Sequence, residues 1–412
     1  MIYDYIIIGG GITGVAAARM LQLAGVERIC VLEAATTPGG LCRTKMIDGH
    51  VLDVGGGHFL CSKYQDVYDF VFRHISRDKF NSFERVSKVK IEGHEIDYPV
   101  ESNIWQLPCD ICAKYLISTV QNGEERGLES PKDFEQWIRW KLGDLIAERY
   151  MLPYNKKIWG VDPAEMDIDW LHKIPRIDIK EIVVSCIRRE ANRERMPSHS
   201  TFYYPKQGGY QEMFDAILKP VAHCVQLGTP AESIETLGEL LLVNGRLKAK
   251  KIINTAPWHA LVSSPVFSTD LRAAISKLRN NSIHVSLHEE SVNTSAHWLY
   301  EPSEAKEHHR TFFINNFAPH SRKDGVYRET NSRRWSGSSG AVYSEKNDYA
   351  YPIPTIGWSN AITEVLSSLE KYNIYGLGRW GQWQYFNADV CIMEAQNLVS
   401  RLGHPRWQTG AF

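Results

Sequence analysis

Gly9, Gly11 and Gly14 fall in Gly9-Gly10-Gly11-Ile12-Thr13-Gly14, directly after the apolar run Ile6-Ile7-Ile8 and just before Ala16-Ala17-Ala18. Each glycine has a separate physical use in a strand–turn–helix. Gly9 permits the tight turn, Gly11 removes a side chain that would block a pyrophosphate, and Gly14 lets the helix close on the strand. The unpaired N–H groups and positive end of that helix then face the phosphates. A second apolar run, Ile29 to Leu32, ends in Glu33, 24 residues after Gly9. That spacing puts a carboxylate where it can accept hydrogen bonds from an adenosine ribose. Together these residues specify a bound dinucleotide.

Two further glycine-rich stretches follow, Pro38-Gly39-Gly40-Leu41-Cys42-Arg43-Thr44 and Asp53-Val54-Gly55-Gly56-Gly57-His58-Phe59. Two such loops suit a long cofactor lying extended through the protein, a flavin dinucleotide rather than a nicotinamide one. Near the C-terminal end, Tyr375-Gly376-Leu377-Gly378-Arg379-Trp380-Gly381 precedes a helical pattern from Val390 to Leu402. The glycines allow close backbone approach, and the helix start can direct N–H groups at another cofactor oxygen. Asp389 either caps that helix or sits beside the cofactor.

No metal site is expected. His284 and His288 share the polar face of an alternating strand, Ser282 to His288, but stand apart along it with no carboxylate or thiol partner apparent. His308-His309-Arg310 reads as ordinary polar surface. Cys109 and Cys112 form a CxxC without the second pair or histidines that a zinc site wants, and the eight cysteines read mostly as reduced, buried small residues.

The elements that must position these groups are a βαβ unit over 1–60, a largely helical stretch over about 100–195, and strand patterns near 223–255 and 282–317. Phe134, Ile138, Leu142, Leu145 and Ile146 recur at three- and four-residue intervals, which predicts one helix over 134–146. The 412 residues are 43% hydrophobic and 23% charged, with 47 basic and 48 acidic side chains. This globular composition excludes wholesale disorder, and the near-zero net charge does not advertise a strongly basic surface for nucleic acid, while leaving room for a local phosphate pocket. The chain shows no secretory pattern and no apolar run of spanning length, so a soluble, cytoplasmic protein without a transmembrane segment is expected.

In these motifs the chain resembles the FAD-dependent superfamily that includes amine oxidases, protoporphyrinogen oxidases, phytoene desaturases and UDP-galactopyranose mutases. Pro153 to Gly160, Tyr204 to Tyr210, Leu227 to Ile234 and Ile252 to Pro257 extend the resemblance along the chain in matching order. It implies an α/β fold: a Rossmann-like FAD-binding domain over 1–85, 200–265 and 355–412, with an inserted α+β substrate domain over 86–199 and 266–354. It implies noncovalent FAD, since no linkage motif stands at His58 or at a cysteine. The resemblance places Gly39, Gly40 and Arg43 along the pyrophosphate and ribityl chain, Gly56, Gly57, Gly208 and Gly209 near the flavin ring, and Ala231 beside adenine. His58, Arg379 and Tyr385 become the candidate catalytic groups, Tyr385 either lining the substrate cleft or packing under the cofactor.

The activity expected first is oxidoreduction, with hydride passing from a small organic substrate to flavin and on to oxygen or another acceptor. The alternative is a reduced-flavin mutase that interconverts the pyranose and furanose forms of a nucleotide sugar without net redox change. For that reading the resemblance aligns Arg176, with Arg379, against the substrate phosphates, and paired guanidinium groups suit a diphosphate. Two departures count against UDP-galactopyranose itself. Cys61-Ser62-Lys63 stands where the mutases carry a second histidine, and their characteristic substrate segment is not evident at Pro257 to Ser264.

Overall fold

The computed structural model describes residues 1–171, 178–190, 201–337 and 340–404. Two seven-stranded sheets organise it. In the first, the strand Ile2–Ile8 lies between Ile29–Leu32 and Leu247–Asn254, parallel to both, and Ile374–Gly376 continues the parallel set beside Leu247–Asn254. The connection from Ile2–Ile8 to Ile29–Leu32 is the helix Ile12–Leu23, so the predicted βαβ unit is present. Alternation along the first strand feeds two cores. Tyr5 and Ile7 pack with Val15, Ala18 and Leu21 of the helix, whereas Ile6 and Ile8 pack with Trp258, Ile362 and Val365 on the opposite face. A strand covered on both faces must read as a continuous apolar run, as Ile6-Ile7-Ile8 does.

The second sheet runs, in spatial order, Tyr343–Ile353, Arg279–Glu289, Gly325–Asn331, Arg310–Phe312, Trp298–Tyr300, Ser87–Ile91 and His94–Asp97. All its pairings are antiparallel except Trp298–Tyr300 with Ser87–Ile91. The chain is therefore α/β, a Rossmann-like dinucleotide-binding domain joined to a mixed α/β insertion.

Several local expectations need correction. The helix expected over 134–146 stops at Leu142, because Gly143 adopts φ +81° and a side chain there would run into the Ser118 carbonyl; helix resumes at Asp144. Phe134, Ile138, Leu142 and Ile146 are buried as the periodicity requires. In the strand carrying His284 and His288 the alternation does not separate a buried face from a solvent face, since Ser286 and His288 are buried along with Val285 and Leu287. His288 is buried, Nδ1 facing the Gly340 carbonyl and Nε2 the Ser286 hydroxyl, and His284 stacks on Trp335. The final helix begins at Ala388 rather than Val390. No helix among the described residues is long and apolar enough to cross a membrane.

Candidate active site

A cleft of about 580 Å³ opens along the C-terminal ends of the parallel strands. Its floor is the turn that the sequence singled out. Gly9 takes φ +104°, and a Cβ there would strike the Thr255 hydroxyl. Gly14 touches the Gly9 carbonyl so closely that no side chain fits. At Gly11 the situation reverses: a Cβ would meet no atom within 4 Å and would project into open space. Gly11 is also the N-cap of Ile12–Leu23, and no side chain caps that helix. An open cradle before uncapped N–H groups is what a pyrophosphate requires. Glu33 lines the same cleft, its carboxylate accepting hydrogen bonds from the N–H groups of Gly10 at 2.6 Å and Ala35 at 2.8 Å. These bonds hold the acid at the mouth of the turn. Pro230 and Ala231 line the far end. This pattern of donors and open space is of the kind that a dinucleotide uses.

Gly39 and Gly40, with φ +117° and +54°, carry the next loop across Gly11, and the Gly39 N–H donates to the Gly10 carbonyl. Arg43 lines the cleft while its Nε–H donates to the Gly40 carbonyl and its guanidinium lies 3.4 Å from Glu345. Below the loop, Asp53 accepts hydrogen bonds from the Thr44 and Tyr204 hydroxyls and the Tyr210 N–H. Complete burial pushes Asp53 up to about 6 despite these donors. Gly208 and Gly209 line neither cavity of the site. Gly209 packs on Thr44, so this pair shapes the support behind the loop.

A second cavity, of about 190 Å³ and polar, abuts the first and shares His58, Arg379 and Ala388 with it. Arg85, Arg310, Tyr300, Tyr351, Tyr385 and Asp389 also line it. His58 stacks on Tyr210, with Nδ1 2.9 Å from the Gly56 carbonyl. Burial, and then the neighbouring Arg379, pushes His58 down to about 4. At neutral pH it is an uncharged imidazole whose Nδ1–H is committed to Gly56, leaving Nε2 as an acceptor. Arg379 is fixed by donating to the carbonyls of Phe386 at 2.8 Å and Ala350 at 3.0 Å, and its guanidinium lies beside the rings of Tyr351 and Tyr385, which pack edge to face on each other. Tyr385 lines the polar cavity and not the larger cleft. Asp389 lies in the first turn of the final helix, lining this cavity, while Asn387 takes the N-cap position. Gly56 packs against Glu329, and Gly57 lines the cavity.

The strongest electrostatic feature here was missed in sequence. Arg310, expected as polar surface, faces Glu329 directly across two paired strands. Its Nε and terminal nitrogen both donate to one carboxylate oxygen; His309 and the Tyr351 hydroxyl engage the other. Burial alone would raise Glu329, but Arg310 above all, with His309 and Tyr351, holds it well below the usual carboxylate range. Arg85 is the other addition: its guanidinium lies over the rings of Trp298 and Phe59 and donates to the Tyr300 hydroxyl. The juxtaposition of Arg310 and Glu329 depends on sheet register, to which spacing in the chain gives no clue. Arg176 lies outside the described residues.

The NAD(P)-binding Rossmann-like domain family matches residues 7–73, which contain the Gly9 turn, Glu33 and both later glycine loops. A solved structure of reduced UDP-galactopyranose mutase superposes with a TM-score of 0.88, covering 98% of this chain and 94% of that one at 24% identity. The chain has the fold of the FAD-dependent mutase and amine-oxidase superfamily. Within that superfamily, cyclohexylamine oxidase from Brevibacterium oxydans superposes over 98% of this chain and 100% of its own, with a TM-score of 0.66 and 14% identity. In sequence, dTDP-fucopyranose mutase of Escherichia coli is 24% identical over 178 residues, 41% of this chain. The match spans 45% of that mutase, under half its length.

Proposed function

We propose that the protein is an FAD-dependent mutase that interconverts ring forms of a nucleotide-linked sugar. The observation that carries this reading is the polar cavity beside the cofactor cleft, which gathers three guanidinium groups, Arg85, Arg310 and Arg379. Glu329 balances Arg310, and Asp389 is the acid in the cavity wall. A surplus of guanidinium suits a diphosphate dianion and repels the protonated amine that an amine oxidase must accept. Fold similarity points the same way, being greater to the galactopyranose mutase than to the amine oxidase.

In this proposal Gly11, Glu33, Gly39, Gly40, Arg43 and Ala231 hold noncovalent FAD, and residues 86–199 and 266–354 form the substrate domain. When bound and reduced, the flavin supplies a nucleophile at the sugar's anomeric carbon with no net electron transfer. The chain's own groups do the remainder. Arg310, held charged and oriented by Glu329, and Arg379 neutralise the diphosphate as it departs, and Arg85 adds a third cation to the same wall. His58, uncharged at neutral pH, offers Nε2 as an acceptor for a sugar hydroxyl or its proton. The aromatic walls of Trp298, Tyr300 and Tyr351 limit water around the ring.

The purified protein should release FAD on denaturation. Anaerobic protein prereduced with dithionite, incubated with dTDP- and UDP-linked hexopyranoses, should yield furanose isomers separable by chromatography, with the flavin still reduced. Hydride transfer, the activity expected first from sequence, is the competing outcome. It would appear as substrate-dependent bleaching of oxidised flavin with a dehydrogenated product and no isomer, and that result would displace the mutase reading.

A further inference from the structure

Away from the cleft, the tip of the hairpin formed by Thr44–Ile47 and His50–Asp53 meets the second sheet where the strands Arg279–Glu289 and Gly325–Asn331 end as a registered pair, Glu289 opposite Gly325. His50 is fully buried there, and neither ring nitrogen has a hydrogen-bond partner among the described residues. Its Nε2 points at two carboxylates, 3.6 Å from Glu289 Oε1 and 3.7 Å from Asp324 Oδ1. All three potential ligand atoms lie within 4.8 Å of one another. We propose that His50, Glu289 and Asp324 bind a divalent transition-metal ion, zinc(II), that clips the hairpin to the second sheet.

The geometry is close to what zinc demands. Tetrahedral zinc with bonds of about 2.0–2.2 Å separates its ligand atoms by about 3.3–3.6 Å, so the two imidazole–carboxylate separations already match it closely, while the two carboxylate oxygens, within 4.8 Å of each other, close on the ion by side-chain rotation. One imidazole with two carboxylates is a donor set of the right softness, and water completes the fourth position. The side chains of Glu289 and Asp324 are 43% and 37% exposed, which gives the ion a route in from solvent, while His50 at 0% anchors it from inside. The ligands are preorganised. The Arg322 N–H donates to the Gly49 carbonyl and the Glu290 N–H to the Asp324 carbonyl, and Gly325 lies so close to His50 Nδ1 that a Cβ would displace the ring.

Arg322 is the charged group that competes. Its guanidinium lies 2.9 Å from Glu289 Oε1 and donates through Nε to Asp324 Oδ1 at 3.0 Å, the two oxygens that face His50. Its side chain is 43% exposed, so it can swing outward. A dication then takes over both carboxylates and leaves the cluster neutral.

The test uses the FAD-loaded full chain, without a polyhistidine tag, stripped with EDTA and titrated calorimetrically with zinc chloride. One ion per chain and a raised Tm on zinc addition are expected. Loss of a group that merely orients a ligand costs 10–100-fold in metal affinity, so Glu289→Gln with Asp324→Asn should weaken binding more than about 100-fold. Both side chains are partly exposed, and the double variant should fold as wild type does without zinc. Arg322→Gln should change affinity in the opposite direction, tightening binding by removing the competitor. No saturable binding, or binding unchanged by the carboxylate pair because the ion sits elsewhere, would overturn the assignment.

Discussion

Replacing Gly11 by alanine places one methyl group into the cleft and into nothing else. Gly11 has φ −81° and ψ −176°, ordinary for any residue, and the new Cβ would touch no protein atom within 4 Å. As an N-cap, alanine is poorer than glycine, but it restricts the unfolded chain more, so the apoprotein should change by no more than about 1 kcal/mol. The methyl instead occupies the space that a pyrophosphate needs. Overpacking of that size costs about 1–3 kcal/mol, or roughly 5- to 150-fold in FAD affinity. Gly14→Ala makes the opposite case. Its Cβ would lie 2.0 Å from the Gly9 carbonyl oxygen, a backbone atom fixed by the turn, so the helix must back away from the strand. A loss of about 3 kcal/mol or more in the apoprotein itself is expected. Fluorescence titration of FAD into the two stripped variants, beside thermal unfolding of both without FAD, separates the effects. Gly11→Ala with wild-type FAD affinity, or with an apoprotein as damaged as Gly14→Ala, would refute the division of labour.

Three other outcomes follow from the same structure. Glu33→Ala frees the N–H groups of Gly10 and Ala35 and removes the carboxylate proposed to accept from the ribose, so FAD retention on a desalting column should fall by about 1–3 kcal/mol equivalent. Glu329→Gln leaves the Arg310 cation without its counter-charge and should cost about 3 kcal/mol in denaturant unfolding; adding Arg310→Met should recover most of that stability without restoring the mutase activity proposed above. His58 is lowered in the fold from 6.5 to about 4, so the unfolded chain takes up its proton first as pH falls. Its contribution is full above pH 6.5 and is lost as pH drops toward 4, at most about 3 kcal/mol. Asp53, raised from 3.8 to about 6, has the opposite slope over much of that window, its contribution present at low pH and lost as pH rises. The difference in unfolding free energy between wild type and His58→Gln across pH 4–7 isolates the histidine, and a flat difference would contradict the burial assigned to it.

The nucleotide turn was legible in the sequence because its physics is local. Whether Gly9, Gly11 and Gly14 leave room depends on a strand, a turn and a helix start that follow one another within about a dozen residues, and Glu33 lies one crossover away. The glycine loops at 39–40 and 55–57 and the final helix could be found in the same way, as could the apolar stripe from Phe134 to Ile146. Gly143 broke that stripe's helix for a reason the stripe does not contain, the Ser118 carbonyl from another segment. Tertiary structure alone decided the chemistry of the polar cavity. Arg310 and Glu329 are ordinary polar residues in their own segments and become a buried ion pair only because two antiparallel strands align them in register. His309 and His50 are likewise unremarkable locally, and each is buried by a strand or hairpin that reaches it from far along the chain. A turn whose contacts all lie within a few residues can be read from its own segment, whereas burial, charge pairing, pKa and a break such as that at Gly143 are set by whatever the fold packs alongside.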